Sequence, residues 1–418
     1  MKIYKFGGAS IKDSDGVRNL ISILKIKKTE KTLIVVSAMG KTTNKFEQVV
    51  DNYFNNKNNL DNSLKLVYDY HNQILENLFE NANNKINNEI KLIFRNIKEF
   101  LKKNKSPNYS FVYDQVVSNG ELISSKIICE FLNNNGVATN WIDAREIIKT
   151  DSKYRGANVN WEETKRKISE NVDLNQLNIT QGFVASDNNN FTTTLGREGS
   201  DYSAAIIAFC LNARSLTIWK DVPGVLNCDP KVFKNSVLLE NISYSEAIEL
   251  AFYGASVIHP KTLQPLQKKE IPLLVKPFSD PNSNGTKITR GIKINPKVPC
   301  FIVKNNLSLI KLSSLDFSFI VEENISEIFQ ELHENKIKVD LTQNSAISIY
   351  LCIEDKYFRL DKLLSKLKAK FKVKYVDNVD LYTIRHFDKN SSKKILQDHN
   401  LILEQRTNEV LKLVVKKI

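Results

Sequence analysis

The 418-residue sequence is 42% hydrophobic and 26% charged, an ordinary globular balance that excludes a collagen-like repeat, a coiled-coil rod and wholesale disorder. At about 100–200 residues per domain, two or three domains are expected. Lys and Arg exceed Asp and Glu for a net charge of +13, but the lysines are spread along the chain among asparagines, as in Asn55-Asn56-Lys57-Asn58-Asn59. No basic patch or stacking motif accompanies them, so no nucleic-acid partner is expected.

Short apolar runs at Ile3–Phe6, Thr32–Ser37, Asn178–Ala185, Leu216–Val222 and Ile271–Lys276 read as strands of a sheet covered on both faces. Helical patterns lie among them at Gly16–Lys27, Asn44–Tyr53, Asn119–Asn133, Ser200–Asn212 and Ser245–Phe252. This alternation predicts an α/β domain with an open, mostly parallel sheet sandwiched by helices, over 1–290. Leu60–Lys103, with spaced Leu and Ile, reads as one or two helices packed outside the sheet.

Pro277, Pro281, Gly285, Pro296 and Pro299 then mark a boundary. Beyond it the rhythm shortens. Leu307–Ser313, Ile337–Leu341, Ala346–Ile353, Val373–Tyr375, Leu381–His386, Ile402–Glu404 and Val410–Val415 read as strands. Ile325–Asn335, Tyr357–Phe371 and Ser391–Asp398 read as helices. The order is βαββαβ followed by a shortened unit of the same kind, so 300–418 is expected to hold two α+β units, about 303–375 and 376–418.

Five cysteines (129, 210, 228, 300 and 352) without a Cys-x-x-Cys pair suggest reduced, buried thiols and neither a disulfide framework nor a zinc site. Met1 leads directly into the charged strand Lys2–Phe6, with no secretory h-region. Ala204–Ala213, the most apolar helical stretch, is far shorter than the roughly 20 residues a membrane span needs. A soluble cytoplasmic chain without a membrane partner is expected.

Four constellations carry chemistry. Lys5-Phe6-Gly7-Gly8-Ala9-Ser10 follows the first strand; paired glycines let successive N–H groups approach an anion, and Lys5 adds a point charge. A plain tight turn would also explain it. Ser37-Ala38-Met39-Gly40-Lys41-Thr42-Thr43-Asn44 places hydroxyls and free N–H groups at a helix start, where simple capping is the alternative. Thr194-Leu195-Gly196-Arg197-Glu198-Gly199-Ser200-Asp201 brings hydroxyl, guanidinium and carboxylate together; Asp201 could cap its helix or pair with Lys5. Lys220-Asp221-Val222-Pro223-Gly224-Val225-Leu226 and the following Lys231 lie after a strand end, where open α/β sheets bind ligands.

In this order and spacing the motifs resemble aspartate kinases of the amino-acid kinase family. Lys5–Ser10 is similar to their opening motif, Asn119-Gly120-Glu121-Leu122 to their substrate-binding step, and Gly196–Asp201 to their Gly-rich loop. Tyr253-Gly254-Ala255-Ser256-Val257-Ile258-His259-Pro260 resembles their late turn, and Asn344-Ser345-Ala346-Ile347-Ser348 their regulatory ACT module. The resemblance implies ATP-dependent phosphorylation of the L-aspartate β-carboxylate with Mg²⁺, subject to feedback by an amino-acid effector, in a homodimer or higher homo-oligomer. It places Lys5, Gly7, Gly8 and Asp201 around the transferring phosphoryl group and Ser37, Thr43, Glu121, Arg197 and Ser200 around aspartate. Phe6, Lys220, Asp221, Leu226, Lys231 and Ser256, with Lys5, Gly7 and Gly8, would contact ATP, and Asp340 and Ser345 would bind an effector. No protein side chain is expected as a metal ligand, and His259 and His386 are expected to be structural.

The chain departs from the family pattern at Glu198 (usually Gly), Lys220 (Thr), Lys231 (Arg), Ser256 (Lys) and Ala346, where lysine-sensitive members carry an acidic residue. Lys220 could supply the charge missing at Ser256. Two other readings are a non-catalytic kinase-like sensor and a kinase for another carboxylate. The set Lys5, Glu121, Arg197 and Asp201 speaks against the first. The Gly-Glu step and the tail speak against the second.

Overall fold

The computed structural model describes residues 1–27, 31–79, 85–255 and 258–418. They divide into two compact units: Met1–Val225 with Leu238–Ile248 and Val257–Ile294, and Leu226–Val237 with Glu249–Ser256 and Asn295–Ile418.

The first unit is built on β1 (Lys2–Phe6), β2 (Thr32–Val36), β3 (Thr139–Ile142), β4 (Leu177–Gln181), β5 (Val184–Ser186), β6 (Thr192–Thr194), β7 (Ser215–Lys220), β8 (Asn241–Ser243), β9 (Leu273–Pro277) and β10 (Thr286–Thr289). Eight of these form one sheet in the order β3-β4-β2-β1-β7-β9-β10-β8; β5 and β6 form a separate hairpin. The pairs of the large sheet run parallel except β9 with β10. Every residue of β2 and β4 is buried, as expected for strands covered on both faces. Parallel pairing brings the carboxyl ends of β1, β2 and β7 to one edge, with Phe6 beside both Val36 and Trp219.

The run expected as one strand over Asn178–Ala185 is two. Phe183 takes φ 66, and a Cβ on Gly182 would lie 2.5 Å from Ser200 Cβ, so the backbone turns where the helix Gly199–Cys210 approaches most closely. Leu60–Lys103 holds two helices, Leu60–Leu78 and Lys85–Lys103. The second buries Ile86, Ile90, Ile93, Ile97 and Leu101, a three-and-four spacing that aligns one apolar stripe. All five cysteines are free and buried, and among the described residues no helix is long and apolar enough to cross a membrane.

The second unit contains β11 (Cys300–Ser313), β12 (Lys338–Ser345), β13 (Ser348–Glu354), β14 (Lys372–Arg385), β15 (His399–Arg406) and β16 (Val410–Lys417). They make one antiparallel sheet, ordered β12-β13-β11-β14-β16-β15. The two expected units share one continuous sheet, and β14 runs through the expected boundary at 375/376. The 14-residue strands β11 and β14 pair from Cys300–Arg385 to Ser313–Lys372, with register shifts between Lys304 and Leu309, and carry both halves. Leu226–Val237 joins this unit because Phe233 packs on Phe301, ring centroids 5.2 Å apart, and Asn227 C=O accepts the Phe301 N–H. Glu249 joins it through an ion pair with Arg385 at 3.2 Å.

Candidate active site

Lys5 lies next to last in β1, and its ammonium meets Asp201 Oδ1 at 2.6 Å, with both side chains almost fully buried. Of the two roles open to Asp201, the structure takes the ion pair; the helix Gly199–Cys210 has Glu198 as its N-cap, without a side-chain cap bond. Burial works against ionisation of Asp201. Lys5 and Lys220 together outweigh it and hold the carboxyl below its ordinary range. Lys220 ends β7 with its ammonium 3.5 Å from Asp201 Oδ2. Each oxygen of one carboxylate thus faces an ammonium.

The Gly7-Gly8 turn is closed by Ser10 N–H and Ile11 N–H donating to Gly7 C=O and by Gly40 N–H donating to Gly8 C=O at 2.9 Å. A Cβ at Gly8 would stand 2.5 Å from Ala38 O, so only glycine lets the loops after β1 and β2 touch. Ser124 Oγ donates to Ser37 C=O at 2.7 Å and ties the second loop to the helix Asn119–Asn134. That helix presents Glu121 in its first turn, buried, with Oε2 accepting no hydrogen bond. Burial pushes the Glu121 carboxyl up to about 8, against the opposing pull of the Ala38 N–H, its own N–H and Lys5.

These groups line one cavity of about 480 Å³. From the expected set it gathers Lys5, Gly8, Ser37, Thr43, Glu121, Arg197, Ser200, Asp201 and Lys220. Gly7 lies beside it, a Cβ there coming 3.6 Å from Lys5 Nζ. Phe6 turns its ring into the core, stacked on Trp219 with centroids 6.1 Å apart. Asp221 is exposed and outside the lining; Leu226 and Lys231 belong to the second unit. Ser256 lies outside the described residues. His259 caps the helix Pro260–Lys268, its Nδ1 accepting Lys261 N–H.

The cavity also holds Tyr113 and Arg155, which the sequence reading missed. Arg155 adopts φ 62, its guanidinium 4.4 Å from the Tyr113 ring centroid. Its N–H donates to both oxygens of the buried Asp114, at 3.2 and 3.1 Å. Asp114 also accepts from Thr194 N–H at 2.9 Å and Thr194 Oγ at 2.8 Å. Tyr113 Oη donates to Glu47 at 2.6 Å. No local pattern announces this cluster, because its members come from segments far apart in sequence.

In the second unit the Asp340 carboxylate is buried and already paired, with Lys304 at 2.6 Å and Lys338 at 3.2 Å; its Oδ2 accepts no hydrogen bond. Ser345 and Ser348 share a hydroxyl–hydroxyl bond of 2.7 Å.

Residues 1–277 match the family model described as the amino acid kinase family. The lysine-sensitive aspartokinase 3 of Escherichia coli is 31% identical over 84% of this chain and 78% of that protein. A bifunctional aspartokinase/homoserine dehydrogenase of Daucus carota is 30% identical over 74% of this chain, which spans only 35% of that longer protein. Among solved structures, E. coli aspartokinase III with aspartate and ADP matches at TM-score 0.81, with 28% identity, 99% of this chain and 96% of that one covered. The same protein with lysine and aspartate matches at 0.83, with the same identity and coverage. With the fold, the cavity and these likenesses in agreement, the chain belongs to the amino acid kinase family, among its aspartokinases.

Proposed function

We propose that the chain transfers the γ-phosphoryl group of ATP to the β-carboxylate of L-aspartate, giving 4-phospho-L-aspartate and ADP, the entry to the aspartate family of amino acids. The observation that carries this reading is a single cavity holding the Lys5–Asp201–Lys220 cluster together with the buried, unpartnered Glu121 Oε2. A cluster of ammoniums beside glycine N–H groups suits a phosphoryl group on which negative charge spreads. A lone buried carboxylate suits an α-ammonium, and Arg197 a carboxylate. The acceptor carboxylate, with an ordinary pKa of about 4, is already ionised at neutral pH. No general base is needed. Lys5, held on Asp201, orients toward the transferring group; Gly7 and Gly8 admit its oxygens; Ser37, Thr43 and Ser200 offer hydroxyls to the acceptor.

Among the described residues no three His, Cys, Asp or Glu side chains cluster to cage a metal, and Asp201 is engaged by two ammoniums. The cavity residues would admit Mg²⁺ brought in with the nucleotide. When bound it supplies neutralisation of charge on the phosphoryl oxygens.

Cytoplasmic location, homo-oligomeric assembly and an amino-acid effector at Asp340 and Ser345 complete the proposal. Trapping the acyl phosphate with hydroxylamine in the presence of ATP tests it. Hydroxamate from aspartate is expected; hydroxamate from glutamate alone, or none, overturns the assignment. Repeating the assay with lysine, threonine and methionine tests the effector.

A further inference from the structure

Two charges stand at the phosphoryl end of the cavity beyond Lys5 and Asp201. Lys220 addresses Asp201 Oδ2, the oxygen opposite the one that Lys5 holds. Glu198 immediately precedes the helix that carries Asp201, and its C=O accepts the Asp201 N–H at 3.1 Å. Positions three apart at a helix start lie on one face, and Glu198 lines the cavity together with Asp201, Lys5 and Lys220. Its Oε2 is buried and accepts no hydrogen bond. Burial pushes the Glu198 carboxyl up, and Lys220 is the strongest influence holding it down.

The backbone adds a second observation. Glu198 sits at φ 53, ψ 29, a left-handed conformation that strains a non-glycine residue and that glycine adopts freely. A glutamate carrying that strain, with a buried acceptor in the wall of a ligand cavity, indicates that its charge has a use there.

We infer that Glu198 and Lys220 are a matched pair that sets the charge of the phosphoryl subsite. Lys220 is a second cation for the nucleotide's terminal phosphate. Glu198 is the positioning carboxylate that shares Lys220 with Asp201, so that Lys220 stays at 3.5 Å while Lys5 keeps the shorter 2.6 Å contact. The inference rests on the phosphotransfer reading and deepens it. With all four groups ionised, Lys5 and Lys220 balance Asp201 and Glu198. Removing either outer member leaves an uncompensated charge at short range in a poorly solvated site, where Coulomb terms are large.

The two single substitutions therefore err in opposite directions. Lys220→Thr leaves two carboxylates around one ammonium and repels the polyphosphate, raising the KM for ATP about tenfold with little change for aspartate. Glu198→Gly leaves two ammoniums on one carboxylate; the KM for ATP falls about threefold while kcat falls about tenfold, as Lys220 competes with Lys5 and ADP is held longer. The double variant brings both constants back to within about threefold of wild type, a rescue that a purely structural role could not produce. Glu198→Gly is also expected to melt at or above the wild-type temperature, since glycine relieves the backbone. Single variants that move the ATP KM the same way, or a double variant no better than the product of the two losses, overturn the pairing. So does a Glu198→Gly defect restored by Mg²⁺ alone, which would assign the carboxylate to the metal. A wild-type chain that forms no ADP with any acceptor overturns the phosphotransfer reading and the pairing together. An active wild type with an unrescued double overturns the pairing alone.

Discussion

Two aspartates with buried carboxylates are each held between two lysines in this chain. Asp201 has Lys5 at 2.6 Å and Lys220 at 3.5 Å; Asp340 has Lys304 at 2.6 Å and Lys338 at 3.2 Å. As ion triads they are nearly interchangeable, yet their surroundings differ. Asp201 stands in the wall of a cavity of about 480 Å³, among glycines, hydroxyl side chains and a second buried carboxylate. Asp340 sits in strand β12 at a register shift between Val339 and Leu341, and its own C=O takes a further bond from Lys412. Paired charges alone do not make a catalytic site. Concavity and donors left for a ligand do.

The largest expected effect separates the triads directly. Lys5→Met should lower turnover about 10²–10³-fold, since a positioned donor to the transferring group is lost, whereas Lys304→Met should leave turnover within about twofold. The hydroxamate assay on both variants checks this, and equal losses would erase the distinction. Lys304→Met also uncovers Asp340, so any response to an amino-acid effector should change even though catalysis does not.

Next comes Glu121. Glu121→Gln keeps the shape but loses the charge for an ammonium, so the KM for aspartate should rise about 10–100-fold with the KM for ATP nearly unchanged. Because its carboxyl is raised to about 8 in the ligand-free chain, it is mostly protonated at neutral pH and must lose a proton to hold an ammonium. Aspartate affinity should strengthen as pH rises toward 8 and then level, with proton release on binding; in Glu121→Gln this dependence should flatten. Stability runs the other way. A folded-state pKa above the unfolded one of about 4.3 means the folded chain holds the extra proton between those values, so that contribution is complete below pH 4.3 and lost as pH climbs through 8. Denaturation midpoints at several pH values, with and without the substitution, test the sign.

Arg155→Ala is expected to raise the KM for aspartate about threefold to tenfold with kcat preserved, as for an exposed cation at a site mouth. An effect on ATP instead would place Arg155 at the other end of the cavity. The smallest effect on catalysis belongs to Asp340→Asn. It should leave turnover near wild type but lower stability by about 1–3 kcal/mol, because two neighbouring ammoniums lose their shared counter-charge. Chemical denaturation measures it.

Much of the fold was legible because its signals are local. The continuous apolar runs of β1, β2 and β7 and the three-and-four stripes of the long helices can be read within a dozen residues. The hairpin of β5 and β6 was not legible, because the turn at Gly182-Phe183 answers to Ser200 in another segment. Nor was the union of Val373–Tyr375 and Leu381–His386 in one strand. The polar residues between them, Asp377 and Asn378, do interrupt the pairing, with Asn378 at φ 53 in a register shift, but the strand resumes against β11 at Val379. The glycine loops and their charged neighbours were similarly visible at the site, while Tyr113 and Arg155 were not. Asp114, which holds Arg155, is 41 residues from it and 80 from Thr194.

By itself, then, the amino-acid order determined the layer architecture and the glycine turns after β1 and β2, since periodicity and backbone permissiveness are properties of adjacent residues, while Lys5, Glu121, Arg197 and Asp201 were singled out as a set by the family resemblance. Only the tertiary structure decided that Asp201 faces two lysines and not its helix end, that Glu198 stands beside them, and that Phe6 turns away from the cavity. Those outcomes depend on which strand ends parallel pairing brings to one edge, and on the burial that makes a charge seek its partner across the chain.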